Sequence, residues 1–321
     1  MIEPKDGFGR QIDYMRISVT DRCNLRCVYC MPQEEQQFLP QEMLLTATQW
    51  ETICRAAAQV GIRKVRITGG EPLMRHDIVE LVERIANIPN IERVVMTTNG
   101  VCLAKQAKAL QKAGLQGVNI SLDTCDRAQY QRLTNRDAFC DVKNSILHCL
   151  DIGLPVKINC VPVSGLEKQD FLQVAELAKT LPVAVRFIEM MPIGAGAKYQ
   201  PISNETIQQQ LIQRYGAWEK VDTKDGGSPA VYWKNKQFEG SIGWISPRSH
   251  SFCHLCNRIR ITAEGHLKLC LHHPANGDLK TMLTQDTDIT QIQQYLMEQI
   301  QQKPKDGHIT DENRPMWKIG G

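Results

Sequence analysis

The chain has 321 residues, enough for about two domains of ordinary size with a full core and no disulfide staples. Apolar residues make up 42% and charged residues 23%, and 38 Lys and Arg against 35 Asp and Glu leave a net charge of +3. That balance excludes a disordered chain, a polyanion-coating protein and an acidic tail, but allows a local basic pocket. No apolar run approaches the ~18 residues of a membrane span, and residues 1–10 lack a signal peptide's apolar stretch. A cytoplasmic protein is expected, with neither membrane nor nucleic acid among its partners.

From residue 14 to about 190, β-rich runs alternate with segments of helical period. Strands are expected at Tyr14–Val19, Lys64–Thr68, Arg93–Thr98, Gly117–Leu122, Val156–Val161 and Val183–Glu189. Amphipathic helices are expected between them at 49–60, 77–87, 103–113, 141–152 and 167–180. Thr48 with Glu51 fits a capping box, and Gly61 and Gly114 stand where helices should stop. Such alternation implies parallel βαβ units. Past about residue 216 the texture changes. Turn signals at Asp225-Gly226-Gly227-Ser228-Pro229 and short runs at Ala230–Trp233, Ser241–Ile245, Arg258–Thr262 and His266–Leu271 suggest antiparallel pieces, followed by a helix near 289–302. Domains are expected at 1–216 and 217–321.

Parallel strands covered by helices on both faces read as continuous apolar runs. These strands do not. Arg16-Ile17-Ser18-Val19, Arg66-Ile67-Thr68, Asn119-Ile120-Ser121-Leu122 and Lys157-Ile158-Asn159 each carry one polar face. With the apolar face against helices, the polar face must line a cavity, because a filled barrel interior does not tolerate several unpaired cations. The expected fold is α/β, an incomplete barrel wide enough for a large anionic ligand.

Twelve cysteines are many for a reducing compartment, where metal ligands are a commoner use than disulfides. Six form two tight sets, Cys23-x3-Cys27-x2-Cys30 and Cys253-x2-Cys256-x13-Cys270. The first lies in a polar loop after the first strand, where barrel active sites form. Three thiolates fall short of the four closed ligands of structural zinc. On a cubane iron–sulfur cluster they leave one iron open to a small molecule. The other six, Cys54, Cys102, Cys125, Cys140, Cys149 and Cys160, read as spare thiols.

The first set, with Tyr29 before its last cysteine, is the signature of radical S-adenosylmethionine enzymes, and Gly69-Gly70-Glu71-Pro72 after the second strand resembles their second motif. Phe8-Gly9-Arg10, the run from Tyr14 to Asn24, the second triad, Asn257-Arg258-Ile259-Arg260 and the terminal Gly320-Gly321 together resemble the GTP 3′,8-cyclase family of molybdenum-cofactor (molybdopterin) biosynthesis over essentially the whole chain. Leu25, where phenylalanine is common, and Cys125, where leucine is, depart from the pattern away from any ligand position.

The resemblance implies an incomplete (β/α)6 TIM-like barrel over 1–216, closed by a C-terminal α+β region over 217–321. It implies two 4Fe–4S clusters, one on Cys23, Cys27 and Cys30 and one on Cys253, Cys256 and Cys270. Tyr29, Gly70, Ser121 and Met191 would contact S-adenosylmethionine. GTP would be held by Arg16, Arg66, Thr97, Lys157, Arg258, Ile259 and Arg260, of which Arg16, Arg258 and Arg260 would support the chemistry. The implied product is (8S)-3′,8-cyclo-7,8-dihydroguanosine 5′-triphosphate, passed to a separate cyclic pyranopterin monophosphate synthase. An electron donor is required, its identity open, as is the choice between monomer and homodimer. Two rivals stand beside this: a radical S-adenosylmethionine peptide-modifying enzyme with an auxiliary cluster, and a zinc-ribbon-like binding module.

Overall fold

A computed structural model describes residues 4–31, 37–164, 171–221, 229–283, 288–307 and 315–320. Strands β1 (Tyr14–Ser18), β2 (Lys64–Thr68), β3 (Arg93–Thr98), β4 (Val118–Ser121), β5 (Val156–Cys160) and β6 (Ala184–Ile188) lie side by side in chain order, all parallel. Each falls within two residues of its expected limits. Helices α1 (Ala47–Gln59), α2 (Ile78–Ala86), α3 (Leu103–Lys112), α4 (Arg127–Thr134), α5 (Phe139–Asp151) and α6 (Phe171–Thr180) return the chain between strands. Their apolar faces, including Trp50, Leu81, Leu110 and Ile146, share one core with Ile17, Ile67, Met96, Ile120 and Ile158 of the strands. The outward face of the sheet is therefore dry, and the polar residues of the same strands are left to face inward.

The capping box of α1 lies two residues earlier than expected. Thr46 Oγ1 accepts from the Gln49 amide at 3.2 Å, and Gln49 Oε1 accepts from the Thr46 amide at 2.9 Å. Leu45 and Trp50 then occupy the N′ and N4 positions of a hydrophobic staple, and both are buried in the core. Glu51 instead pairs with Arg55 at 2.6 Å and Arg84 at 2.8 Å. Gly61 and Gly114 do follow helices, with φ of 109° and 101°.

The C-terminal runs correct the antiparallel expectation in part. β7 (Ser241–Ile245) pairs parallel with β6, and β8 (Arg258–Ile261) pairs parallel with β1. The residues extend the barrel at both edges because their apolar positions (Ile242, Trp244, Ile259, Ile261) join the same core. Among the described C-terminal runs, antiparallel pairing involves the flanking pieces: Val231–Lys234 on β7, Glu219–Val221 beyond it, His266–Lys268 on β8, and Gly277–Asp278 beyond that. The two outermost pieces are not paired with each other, so the barrel is open. Helix α7 (Asn204–Tyr215) joins β6 to this region, and α8 (Ile289–Gln301) packs against α1. The turn residues 225–228, the first residues of the segment expected at 167–180, and Gly321 lie outside the described residues. Among the described residues no helix is long and apolar enough to cross a membrane.

Ser145, fully buried on α5, ties the start of α3 to the end of β3. Its hydroxyl donates to the Gly100 carbonyl at 2.6 Å and accepts from the Ala104 amide at 2.9 Å. Ser145→Ala leaves both backbone groups without that partner and is expected to cost about 1–3 kcal/mol, read as a lower urea midpoint at unchanged slope.

Candidate active site

The strand carboxyl ends open into a cavity of about 600 Å³, within the usual range of ligand pockets. Both cysteine triads line it, as do Tyr29, Gly70, Ser121 and Met191, and as do Arg16, Arg66, Thr97, Lys157, Arg258 and Arg260. The side chain of Ile259 is the exception. It is fully buried in the core on the face opposite Arg258 and Arg260, which leaves only its backbone to meet a ligand.

The cations occupy adjacent rungs. Arg16 on β1 stands in register between Arg66 on β2 and Arg260 on β8, and Tyr14 between Lys64 and Arg258. Burial and the neighbouring Arg260, Arg66 and Arg258 all disfavour the charged form of Arg16, and Tyr14 favours it. Arg260 is drawn down to about 10 by burial and by Arg258. Across the cavity, Lys157 Nζ reaches the Tyr232 hydroxyl at 3.5 Å, and Arg186 Nη2 donates to Asn159 Oδ1 at 2.6 Å. So many cations around one cavity call for a polyanion.

The first triad hangs on the loop after β1. Its turn is closed by amides of Cys30 and Met31 donating to the Cys27 carbonyl at 3.0 and 2.9 Å. Gly70 seats this loop. A Cβ there would lie 2.5 Å from the Arg22 carbonyl oxygen and 2.6 Å from that of Asp21, so only glycine lets the two motifs touch. Glu71 is buried and accepts from the Leu73 amide (3.1 Å), the Thr98 hydroxyl (2.7 Å) and the Asn99 amide (2.6 Å), locking the loops after β2 and β3 together. The Tyr29 hydroxyl donates to Asp123, whose other oxygen accepts from the Val161 amide at 2.8 Å.

The two triads sit in different surroundings. Burial pushes the Cys23 thiol to about 11 and the Cys30 thiol to about 12, and the Cys27 thiol rises well above the usual range through burial and the nearby Cys30, Asp123 and Cys23. In the second triad, Cys256 is also buried, yet Arg258 and Lys303 draw it down to about 7. Among the described residues no three Cys, His, Asp or Glu converge on a single ion. A mononuclear zinc site needs such convergence, whereas a cubane takes one thiolate at each of three separate irons. Soft thiolate donors in threes, opening on a shared cavity, fit iron–sulfur clusters with one free corner each.

A family model described as the radical SAM superfamily matches residues 17–178, and one described as molybdenum cofactor synthesis C matches residues 183–309. The chain is 41% identical to a GTP 3′,8-cyclase of Pelotomaculum thermopropionicum over 99% of this chain and 100% of the relative. The chain belongs to the GTP 3′,8-cyclase family. A second member, from Listeria monocytogenes, is 40% identical over 99% of both chains. Among solved structures, Streptococcus suis SuiB bound to S-adenosylmethionine superposes with a TM-score of 0.59 at 17% identity, over 91% of this chain and 68% of SuiB. At that identity the likeness concerns the fold alone: a radical S-adenosylmethionine barrel.

Within this family site, several residues that line the cavity escaped the sequence reading. Lys64 and Arg186 add two more cations, and Asp123 anchors the aromatic of the cysteine motif. Lys64 was legible from its strand position, two residues before Arg66 on the same face. Asp123, a lone carboxylate past a strand end, carries no comparable signal.

Tyr14 sits at the centre of the cation rungs, with Arg66 Nε donating to its hydroxyl and Lys64 Nζ 4.9 Å from its ring. Burial raises its pKa, but Arg66, Arg16 and Lys64 outweigh burial and bring it to about 7. Tyrosinate absorbance at 295 nm is therefore expected to rise through pH 7 in substrate-free protein and to lose that component in Tyr14→Phe. A triphosphate in the cavity adds negative charge and shifts the midpoint upward.

Proposed function

We propose that this chain converts GTP to (8S)-3′,8-cyclo-7,8-dihydroguanosine 5′-triphosphate, the first step of molybdenum-cofactor biosynthesis. The observation that carries this reading is one cavity shared by two three-cysteine sets and a wall of cations. Cys23, Cys27 and Cys30 hold one 4Fe–4S cluster, and Cys253, Cys256 and Cys270 the other. When bound, the first cluster supplies the electron for reductive cleavage of S-adenosylmethionine, which provides the agent that takes a ribose hydrogen of GTP.

The chain's own residues bind, orient and exclude water. Gly70, by letting the cysteine loop seat against its backbone, places the amino-acid end of S-adenosylmethionine beside that loop, with Tyr29, Ser121 and Met191 around the rest of it. Arg66, held by Tyr14 and by Thr97 Oγ1 at 3.1 Å, faces the triphosphate with Lys157, and Lys64 and Arg186 extend that set. Arg16, Arg258 and Arg260 lie between the two triads' loops and support the nucleotide as charge builds on it. The net change in GTP is an isomerisation: one ribose hydrogen leaves, a C3′–C8 bond forms, and one electron and one proton complete the product.

The C-terminal tail reaches this wall. Arg260 Nη1 donates to the Gly320 carbonyl at 3.0 Å, and a Cβ on Gly320 would lie 2.6 Å from Thr68 Oγ1 and 2.8 Å from Ser18 Cβ. Gly320 thereby aims Arg260 from inside the barrel. In this reading residues 1–216 carry the cosubstrate machinery and residues 217–321 the second cluster and the base-side arginines. The enzyme works in the cytoplasm, takes electrons from a separate donor and hands its product to a synthase.

Anaerobically reconstituted protein given GTP, S-adenosylmethionine and dithionite is expected to yield 5′-deoxyadenosine, methionine and an isomer of GTP, separated by chromatography and confirmed by mass. Absence of the isomer with GTP intact overturns the reading. Arg16→Ala and Arg260→Ala each remove a charged contact of about 1.5–3 kcal/mol, so kcat/KM for cyclisation is expected to fall roughly ten- to a hundredfold or more. Gly320→Ala is expected to reduce turnover while leaving the iron content unchanged.

A further inference from the structure

Lys303 follows α8 and is 2% exposed. Its Nζ donates to the Arg258 carbonyl at 2.8 Å and to the Leu269 carbonyl. Arg258 stands two residues after Cys256, and Leu269 directly precedes Cys270. One ammonium thus ties together the two segments that carry two thiolates of the second triad. Among the described residues no carboxylate pairs with it. Burial and the nearby Arg10 and Arg258 oppose its charge, and the negative groups that favour it are the thiolates of Cys256 and Cys270 themselves.

The segment after Lys303 wraps the rest of the triad. Arg10 Nη1 donates to the Cys253 carbonyl and to the Lys305 carbonyl, both at 2.8 Å, and Nη2 to the Pro304 carbonyl at 2.6 Å. The Arg10 charge is already met by Asp6 at 2.6 Å. The Cβ position of Gly307 lies 3.6 Å from Cys270 Sγ, so the backbone of this strap rests against the third ligand. Lys303 is the buried cation of the strap, and its ammonium lies at the segments that carry the triad.

A cubane bound by three thiolates is already anionic when oxidised, and one more electron makes it more so. A buried cation beside it favours the reduced form and opposes release of the thiolate-bound iron. We propose that Lys303 is a positioning residue of the second cluster, holding the Cys256 and Cys270 segments together and raising the cluster's reduction potential. This rests on Cys253, Cys256 and Cys270 being the ligands of that cluster.

The test uses the full chain with Cys23, Cys27 and Cys30 all replaced by alanine, reconstituted anaerobically so that the second cluster is alone. The parent in this background is expected to hold about four irons; a parent without iron overturns the ligand reading, and the proposal with it. Lys303→Met keeps the stem, and Lys303→Gln keeps a donor without the charge. In a reductive titration followed by electron paramagnetic resonance, both are expected to show at least a tenfold lower ratio of reduced to oxidised cluster at a given poise, a downward shift of about 59 mV for one electron. Both are also expected to lose iron faster to a chelator, and Lys303→Arg to recover both properties. Met or Gln variants with full iron and an unmoved midpoint overturn the proposal, as does an Arg variant no better than Met. Should Met and Gln shed their iron before titration, Lys303→Arg decides: recovery of iron and midpoint supports the proposal, and failure to recover overturns it.

Discussion

Repulsion among cations inside the barrel is the constraint on which the site depends. Arg66, Arg16 and Arg260 stand in register on three neighbouring strands, and Lys64 and Arg258 flank Tyr14 one alternate position away. Buried cations in such numbers are tolerated when an anion or a solvated space faces them. A closed barrel offers neither. The open sheet, the cavity and the polyanionic substrate follow from the same inward-facing row of side chains, and Tyr14 is the group within the row that offsets part of its charge.

Much of this was legible in the sequence because strand period two is strict. Once Ile17, Ile67, Ile120 and Ile158 are assigned to helices outside, Arg16, Arg66, Asn119 and Lys157 must point in. The six barrel strands and the helices between them were readable for the same reason, since propensity and pattern agree there. The direction of short runs was not. Ser241–Ile245 and Arg258–Ile261 look alike whether they pair parallel or antiparallel, and only the free edges of β6 and β1 decide it. The cap of α1 shows a similar tie: Thr46 with Gln49 and Thr48 with Glu51 are equivalent as local patterns, and burial of Leu45 and Trp50 selects the first. Asp123 and Lys303 were invisible for a further reason. Each acts on a motif remote in sequence, Asp123 on Tyr29 and Lys303 on the segments of Cys256 and Cys270, so no spacing rule connects them.

The parallel placement of β8 has a chemical consequence. Because it pairs directly with β1 in parallel, the loop that precedes β8 lies beside the amino end of β1 while the first triad follows its carboxyl end, and one cavity runs between them past Arg16, Arg258 and Arg260. Had Arg258–Ile261 joined as a separate hairpin, the second triad would have formed its own small domain, as a binding ribbon does. Instead Arg258 and Arg260 enter the barrel wall, and the tail that carries Gly320 reaches the first two strands to meet Arg260. The C-terminal region is thus a wall of the active site.

That wall also sets the sign of the local field. The first triad is desolvated, with its own thiols and the carboxylates of Asp123 and Glu71 as neighbours, and all of these oppose negative charge on the cysteines. In the second triad, Arg258 and Lys303 overcome the burial of Cys256. Both cations come from residues beyond 216, and Lys303 is held by backbone carbonyls of the very segments that carry the thiols. Two chemically similar donor sets on one cavity are therefore made electrostatically unlike by the elements around them. The first gathers its surroundings from strand-end loops of the barrel, which supply carboxylates. The second gathers its own from a strap and an inserted strand, which supply cations on one side and face the nucleotide cavity on the other.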